Sequence, residues 1–422
     1  MIVELILYGA GKKLPYIYSE LKKSYNILCI VDKDVNKQGL DIEMPDGIKL
    51  KVLSLEDALN RFPGAKLWIT PAVPLKYEIM KELMAVPFID KDDIQNYEAV
   101  TYRRSCYMAE NMLALSDGFL KVCCGCIDAP QINYSNNNIS NEELVDVFLN
   151  FKNKLIRSFI NEECSQQCLN CTFLEYNYFK DLSKITHIAF NVAPFCQFKC
   201  VYCKHLEEFN KKLSKKTINN ILRNLDFINF LKKNNYIDND VVLGISNGEI
   251  TVNPLRKEIF NVIRDFQCMF VINGEFYSEE IEAALLTGNA SVNISIDAGT
   301  ADTFKIVKGR DCFDKVVKNI RKYSLAAEPA KITLKYIILP GINDNKTDAY
   351  GFINLVYDIN GDVIVSRDMY NVKNFDDNID SCLEIAKTII TEVRGKGLNV
   401  FNMMNNSSPP SKYKERIERM FT

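Results

Sequence analysis

The amino-acid sequence predicts an α/β protein in which a barrel-like parallel sheet follows two smaller regions. From Ile185 onward, strand-like apolar runs alternate with helical segments in six βα units, a pattern typical of a parallel barrel. Residues 1 to about 98 show the same βαβ rhythm on a smaller scale. The segment between these regions is irregular and rich in cysteine and asparagine. The predicted domains are therefore residues 1–98, 99–182 and 183–422.

The composition of the chain excludes several classes of protein. Its 422 residues, 47% apolar content and net charge of −2 allow more than one core and provide no basic field for nucleic acid. The sequence contains neither an uninterrupted apolar run of about 18 residues nor the pattern of a signal peptide, so we expect no membrane span and no export. Fourteen cysteines in such a chain favour metal centres in a reducing, cytoplasmic setting over disulfides.

The first region has the element order of a small parallel sheet. Ile2–Tyr8 and Asn26–Val31 are apolar runs that predict strands, and Leu14–Lys23 between them predicts a helix. A helix, a strand and a further helix are expected at Leu55–Arg61, Lys66–Ile69 and Tyr77–Met84.

Gly9 and Gly11 follow the first of these strands, and Asp32 closes the next one about twenty residues on. This partly fits the dinucleotide fingerprint, in which glycines let a phosphate approach a helix N-terminus, although Leu14 stands in place of the third glycine. The segment resembles Rossmann-like modules attached to sugar-modifying and surface-polysaccharide enzymes. That resemblance implies a nucleotide or nucleotide sugar bound at Gly9, Gly11 and Asp32; the alternative is a scaffold or substrate-docking domain.

The strand predicted at Ile185–Val192 leads into a loop that carries Cys196, Cys200 and Cys203. The spacing C-x3-C-x2-C supplies three thiolates. A [4Fe–4S] cluster held by three cysteines keeps one iron open, and the amino and carboxylate groups of a methionine-like molecule could chelate that iron. The alternative is a structural zinc site with His205 as the fourth ligand, although only one residue separates His205 from Cys203.

This loop, with Tyr202 before its last cysteine, resembles the signature of the radical S-adenosylmethionine (SAM) superfamily. The resemblance implies a partial (β/α)6 barrel and a [4Fe–4S] cluster whose electron cleaves SAM to a 5′-deoxyadenosyl radical, which abstracts a hydrogen atom from a substrate. It also implies a reductant such as flavodoxin or ferredoxin.

The second core strand ends in Asn247-Gly248-Glu249, which is similar to the Gly-Gly-Glu motif of the superfamily with asparagine in place of the first glycine. The resemblance implies that this segment contacts the SAM amino group. Strands three and five end in further segments of this kind, Val271–Glu275 and Leu334–Asp344.

The fourth core strand carries a Ser-Ile-Asp segment like that of peptide- and sugar-modifying members, with Ser295 and Asp297. The resemblance implies that these two side chains lie near the SAM ribose and carboxylate. Lys308 stands where relatives often have an arginine, and it would hold the SAM carboxylate as a point charge.

Seven more cysteines lie in the middle region, residues 99–182, and their arrangement resembles the SPASM auxiliary-cluster domain, including a turn glycine at Gly118. That domain usually follows the core, whereas here the cysteines come before it. The resemblance implies an auxiliary [4Fe–4S] cluster, with zinc as the alternative metal. The preferred ligands are Cys106, Cys123, Cys168 and Cys171. Cys124, Cys126 and Cys164 are alternates.

The four remaining cysteines, Cys29, Cys268, Cys312 and Cys382, are expected to be buried apolar residues. Cys312 is also a candidate hydrogen-atom donor, as in epimerising members of the superfamily.

The leading hypothesis is therefore a cytoplasmic radical SAM enzyme with an auxiliary cluster. Its substrate would be a carbohydrate or nucleotide-linked molecule, and the outcome an oxidation, an epimerisation or a related modification. A peptide-modifying enzyme and a non-catalytic iron–sulfur and nucleotide-binding regulator are the alternatives. An N-terminal dehydrogenase with a structural zinc region does not account for the core motifs.

Overall fold

The computed structural model describes most of the chain in two compact units. The first comprises Met1–Arg103 with Tyr176–Asp181, and the second comprises Arg104–Glu175 with Leu182–Thr422. The described residues are 3–11, 14–71, 75–97, 100–123, 131–135, 139–161, 163–169, 171, 173–180, 184–192, 195–204, 212–328, 331–368, 371–404 and 413–419.

The first unit contains a five-stranded sheet in the order β3-β4-β2-β1-β5. Its strands are β1 Val3–Tyr8, β2 Tyr25–Val31, β3 Asp41–Glu43, β4 Lys49–Leu53 and β5 Lys66–Ile69, and its helices are α1 Leu14–Leu21, α2 Leu55–Arg61 and α3 Leu75–Met84. All pairs are parallel except β3 with β4, so the predicted parallel sheet is confirmed. Successive residues of β1 enter two different apolar clusters, as expected of a sheet buried on both faces.

The second unit contains a ten-stranded sheet in the order β17-β16-β15-β14-β13-β12-β11-β7-β8-β9. Its strands are β7 Met112–Leu115, β8 Phe119–Lys121, β9 Gln131–Asn133, β11 Ile185–Asn191, β12 Ile237–Ser246, β13 Gln267–Ile272, β14 Ala290–Ser295, β15 Ile332–Ile338, β16 Asp362–Arg367 and β17 Val400–Met403. Two further strands, β6 Val100–Cys106 and β10 Leu174–Lys180, pair with each other.

The six predicted core strands correspond to β11 to β16, and they pair in parallel in chain order. β17 adds a seventh parallel strand, and β7 pairs in parallel with β11 on the other side. The segment predicted as an auxiliary-cluster domain therefore contributes β7, β8 and β9 to the core sheet. The three-domain division and the barrel form of the sheet stay predictions.

The helices of the second unit are α4 Tyr107–Asn111, α5 Asn141–Ile160, α6 Gln166–Leu169, α7 Lys215–Lys233, α8 Arg256–Ile263, α9 Glu279–Leu286, α10 Ala301–Lys308, α11 Phe313–Ala326, α12 Lys346–Ile359, α13 Val372–Asp377, α14 Ile379–Gly395 and α15 Lys414–Arg419. Helix α5 begins with a capping box, because Ser140 and Glu143 each accept a hydrogen bond from the other's backbone N–H. No helix among the described residues is long and apolar enough to cross a membrane.

The two faces of the core sheet differ in chemistry. On β14, Val292 and Ile294 are buried in the main apolar cluster, whereas the alternate residues Ser291, Asn293 and Ser295 are polar and only partly buried. Because side chains alternate along a strand, the second set shares one face, which we call the open face. Residues that pair with this set on neighbouring strands lie on the same face. The open face therefore extends across the sheet, from Ala189 on β11 to Phe401 on β17.

The loop after β14 lies against helix α12 with backbone touching backbone. A Cβ added at Gly299 would lie 1.9 Å from the carbonyl oxygen of Asp348 and 2.6 Å from the amide nitrogen of Phe352. Backbone atoms cannot move aside as a flexible side chain would, so we expect Gly299→Ala to lower the free energy of unfolding by about 3 kcal/mol.

A matched control is Gly395→Ala, because a Cβ at Gly395 meets nothing within 4 Å in the last turn of α14. That change should stabilise the protein by about 0.5–1 kcal/mol through helix propensity. Denaturant unfolding of both variants provides the measurement, and equal midpoints would contradict the close approach at Gly299.

Candidate functional site

The loop that follows β11 carries the three predicted cluster ligands, Cys196, Cys200 and Cys203, all partly buried. Burial raises the pKa of the Cys196 thiol to about 12 and also raises the pKa of Cys200, where nearby Lys308 opposes the effect. Without a bound cation these thiols are protonated at neutral pH, so a positive metal centre is needed to make them ligands.

The surroundings of Cys196 fit an iron–sulfur ligand. Its Sγ accepts hydrogen bonds from the Phe198 amide at 3.5 Å and from Asn273 Nδ2 at 3.6 Å. Such N–H···S bonds stabilise thiolate sulfur and tune cluster potential. His205, the candidate fourth zinc ligand, lies outside the described residues. Over the described part of the chain, no three Cys, His, Asp or Glu side chains are grouped as a metal site.

The last turn of α10 holds the cysteine loop by its backbone. The amides of Lys199 and Val201 donate to the carbonyl oxygens of Lys308 and Val307, each at 3.0 Å. The loop therefore leaves β11 and runs against the helix that follows β14.

A buried polar network joins the same loop to two strands. Asp297 Oδ2 accepts hydrogen bonds from Tyr202 Oη and Lys308 Nζ, each at 2.5 Å, and Asp297 Oδ1 accepts from the Ile337 amide at 2.7 Å. The side chains of Asp297 and Lys308 are 0% and 1% exposed. Burial and the charge of Asp297 raise the pKa of Tyr202 well above its usual value, so the phenol remains a donor.

Two residues of this network, Asp297 and Lys308, are also among the SAM contacts that the resemblance implies. Asp297 and Lys308 neutralise each other, and Lys308 Nζ also lies 2.7 Å from Tyr202 Oη. Ser295, the last residue of β14, is only partly buried. The roles of Ser295, Asp297 and Lys308 as SAM contacts stay predictions.

The Asn-Gly-Glu segment after β12 has an unusual backbone that explains its sequence. Asn247 and Gly248 have φ of +60° and +133°. Asparagine tolerates the left-handed region better than other non-glycine residues, so it can replace the first glycine of the motif. Glu249 is buried, and its carboxylate accepts from the Thr251 amide at 3.1 Å and the Asn273 amide at 2.6 Å. Burial raises its pKa, and these hydrogen bonds oppose the rise.

A second network, which the sequence did not reveal, lies beside Cys196. Gln197 Nε2 donates to Glu275 Oε2 at 2.9 Å, and Arg310 donates to Glu275 Oε1 at 2.6 Å. Burial raises the pKa of Cys312, where the charge of Glu275 adds to the rise and Arg310 opposes it. Cys312, the candidate hydrogen-atom donor, therefore lies in the Glu275 network at the start of α11. Gln197 lies within the cysteine motif, so the sequence predicts that it is near the site. No local sequence pattern links Gln197 to Arg310.

The structure brings several of the upstream cysteines together. Burial raises the pKa of Cys106 to about 12, and the charges of nearby Cys123 and Cys171 contribute to that rise. Cys164 and Cys168 pack in one apolar cluster with Cys106. This donor chemistry fits an iron–sulfur cluster, and the ligand set stays a prediction. The alternates Cys124 and Cys126 lie outside the described residues.

Three other cysteines are buried as expected: Cys29, Cys268 and Cys382.

In the first unit, the loop that carries Gly9 and Gly11 is hydrogen-bonded to Asp32, the acidic residue of the same motif. The amide of Ala10 donates to Asp32 Oδ2 at 2.8 Å, and Lys37 Nζ lies 3.1 Å from the same oxygen. Gly9 has φ of +112°, and a Cβ there would lie 2.7 Å from Thr70 Oγ1. Gly9 is therefore required by the close approach of β1 and β5. Nucleotide binding at Gly9, Gly11 and Asp32 stays a prediction.

Comparison with curated proteins finds relatives named GTP 3′,8-cyclase. The relative from Clostridium botulinum is 29% identical over 179 residues, which cover 41% of this chain and 53% of the relative. The relative from Psychromonas ingrahamii is 26% identical over 189 residues, or 42% of this chain and 50% of the relative. The chain thus spans about half the length of the curated relatives it matches.

Solved structures with a similar arrangement include Streptococcus suis SuiB bound to S-adenosylmethionine and native anSMEcpe with bound AdoMet. SuiB gives a TM-score of 0.42 at 13% identity and covers 64% of this chain and 57% of its own. For anSMEcpe the TM-score is 0.39 at 14% identity, and the match covers 51% of this chain and 63% of anSMEcpe.

The model of the Radical SAM superfamily matches residues 190–353. This range begins within β11, includes Cys196, Cys200 and Cys203, and ends within α12. Residues 190–353 of this chain are a radical SAM domain, as the resemblance of the cysteine loop led us to expect.

Proposed function

We propose that this protein is a radical SAM enzyme that modifies a carbohydrate or nucleotide-linked substrate by hydrogen-atom abstraction. The observation that carries the proposal is the three-thiol loop of Cys196, Cys200 and Cys203 inside the matched domain. The curated relatives are named for a reaction of GTP, which supports an enzyme of radical chemistry and a nucleotide-linked substrate.

A [4Fe–4S] cluster with SAM on its open iron would supply the 5′-deoxyadenosyl radical, and the chain would supply binding, orientation and electrostatics. Cys196, Cys200 and Cys203 would hold the cluster. Asn273 would stabilise the Cys196 thiolate through the hydrogen bond that it already donates.

Two further elements hold the loop in place for this chemistry. Tyr202 ties the loop to Asp297, and the carbonyl oxygens at the end of α10 accept from its backbone. Fixing the ligands in advance lets the site form without a large rearrangement. In this proposal the upstream cysteines hold an auxiliary cluster that accepts an electron or anchors substrate.

The carbohydrate part of the proposal is supported by the open face. Its partly buried side chains include the amides of Asn191 and Asn293 and the hydroxyls of Ser246 and Ser295. Neutral donors and acceptors of this kind suit a polyhydroxylated ligand.

The proposal is tested on anaerobically reconstituted protein reduced with dithionite and given SAM. We expect 5′-deoxyadenosine by mass-resolved chromatography and about eight irons per chain from two four-iron clusters. Full iron loading without 5′-deoxyadenosine would favour the regulator, and zinc in place of iron would reject both functions.

A further inference from the structure

Lys335 lies in the middle of β15 with its side chain on the open face. All the remaining residues of β15 are buried, whereas Lys335 is only partly buried. Its register partners are Ser295 on β14 and Ile364 on β16. The ammonium group of Lys335 therefore lies on the open face, at the level of the last residue of β14.

The charge of Lys335 is not balanced by an ion pair within the described part of the chain. Lys335 Nζ makes no hydrogen bond or ion pair with the described residues. Asp297, whose negative charge acts on Lys335, is already paired with Lys308 at 2.5 Å. Burial lowers the pKa of Lys335, the charge of Asp297 opposes that shift, and Lys308 reinforces it. A desolvated ammonium without a partner is costly, and such groups are concentrated at functional sites.

Two hydroxyl groups lie on the same face beside this lysine. Ser295 is directly opposite Lys335 on the neighbouring strand. Ser366 is two residues beyond Ile364 and is 3% exposed, and its side-chain oxygen has no hydrogen-bond partner among the described residues. An unsatisfied buried hydroxyl calls for a specific explanation, and a bound ligand provides one.

We infer that Lys335, Ser295 and Ser366 bind one anionic group of the substrate, a phosphate monoester or a carboxylate, on the open face. This assignment rests on the proposed function and narrows its substrate class. The ammonium would act as a point charge, and the two hydroxyls would donate hydrogen bonds to the anionic oxygens.

The number of cationic side chains on the open face favours a substrate with a single anionic group. On the described strands β11 to β17, Lys335 is the one lysine or arginine on this face, since Arg367 lies on the opposite face, where its Nε donates to the Met404 carbonyl oxygen. Its neighbours on the open face include the neutral side chains of Asn293 and Thr333. One cation among hydroxyl and amide groups suits a sugar with one phosphate or carboxylate, whereas a triphosphate carries several charges to neutralise.

The test measures the reactivity of Lys335 in the reconstituted holoenzyme, with trace acetic anhydride as the reagent and mass spectrometry as the readout. Inorganic phosphate is the probe, and chloride of equal ionic strength is the reference. We expect a saturable protection of Lys335, with labelling about sixfold slower when phosphate reaches five times its dissociation constant, by mass action. The exposed Lys318 on α11 is the control and should label at the same rate throughout.

A parallel arm separates the substrate from SAM as the source of the anion. SAM alone should leave the labelling rate of Lys335 unchanged. Protection by SAM alone would assign Lys335 to the SAM carboxylate and overturn the inference, as would the absence of phosphate protection. In Ser295→Ala and Ser366→Ala, half-protection should need roughly three- to tenfold more phosphate. Unchanged values in both variants would overturn the three-residue site.

These outcomes are independent of those that test the proposed function. Formation of 5′-deoxyadenosine is assayed in the same preparation without phosphate. A protein that makes 5′-deoxyadenosine but shows no protection retains the function and loses the anion site, whereas the opposite result rejects the radical chemistry.

Discussion

Cys200→Ala is expected to lower 5′-deoxyadenosine formation by at least about a hundredfold, since loss of even an outer partner of a metal ligand costs ten- to a hundredfold. The loop offers three thiols, and a cluster with one open iron needs all of them. Iron content should fall from about eight to about four per chain, because the auxiliary cluster that we propose for the upstream cysteines would remain.

The matched control for this variant is Cys268→Ala. Cys268 is a buried cysteine of β13, 5% exposed, and its Sγ lies 3.6 Å from the Ile263 carbonyl oxygen, outside the cysteine loop. Its loss should cost about 1 kcal/mol of stability through a small cavity and leave both iron content and 5′-deoxyadenosine unchanged. If Cys200→Ala behaved like this control, the loop would not be the cluster site.

The six core strands could be predicted because each is an apolar run that ends in a polar turn. The strands β7 to β9 could not be predicted in this way. Each has only three or four residues, and β7 becomes a strand by pairing with β11, Met112 opposite His187. A short strand whose pairing partner is distant in sequence leaves little local pattern, so the segment reads as irregular.

The site could be predicted where chemistry and spacing coincide, as in the three cysteines and Glu249. The contacts between motifs could not be predicted. Glu275 and Arg310 lie far apart in sequence, and only the folded chain brings them to Gln197. Lys308 was expected near SAM because of its place after the Ser-Ile-Asp segment, and the structure adds a buried pairing with Asp297 that no periodicity encodes.

Lys308→Met is expected to lower the free energy of unfolding by about 3–5 kcal/mol, the usual cost of removing one partner of a buried ion pair. Among the described residues, the change leaves the buried Asp297 carboxylate with Tyr202 as its remaining side-chain donor. Because Tyr202 belongs to the cysteine loop, the loop should loosen as well. We therefore expect less 5′-deoxyadenosine per iron, in addition to a lower midpoint in denaturant unfolding.

Two variants test this explanation. Lys305→Met removes a lysine of the same helix whose partner, Asp311, is also exposed, and it should leave the midpoint within error because solvent screens such pairs. The double variant Asp297→Asn with Lys308→Met should recover part of the lost stability, since no unpaired charge then remains buried. A double variant less stable than Lys308→Met would mean that Asp297 acts mainly through Tyr202 and the Ile337 amide, and that the lysine contributes little to holding the loop.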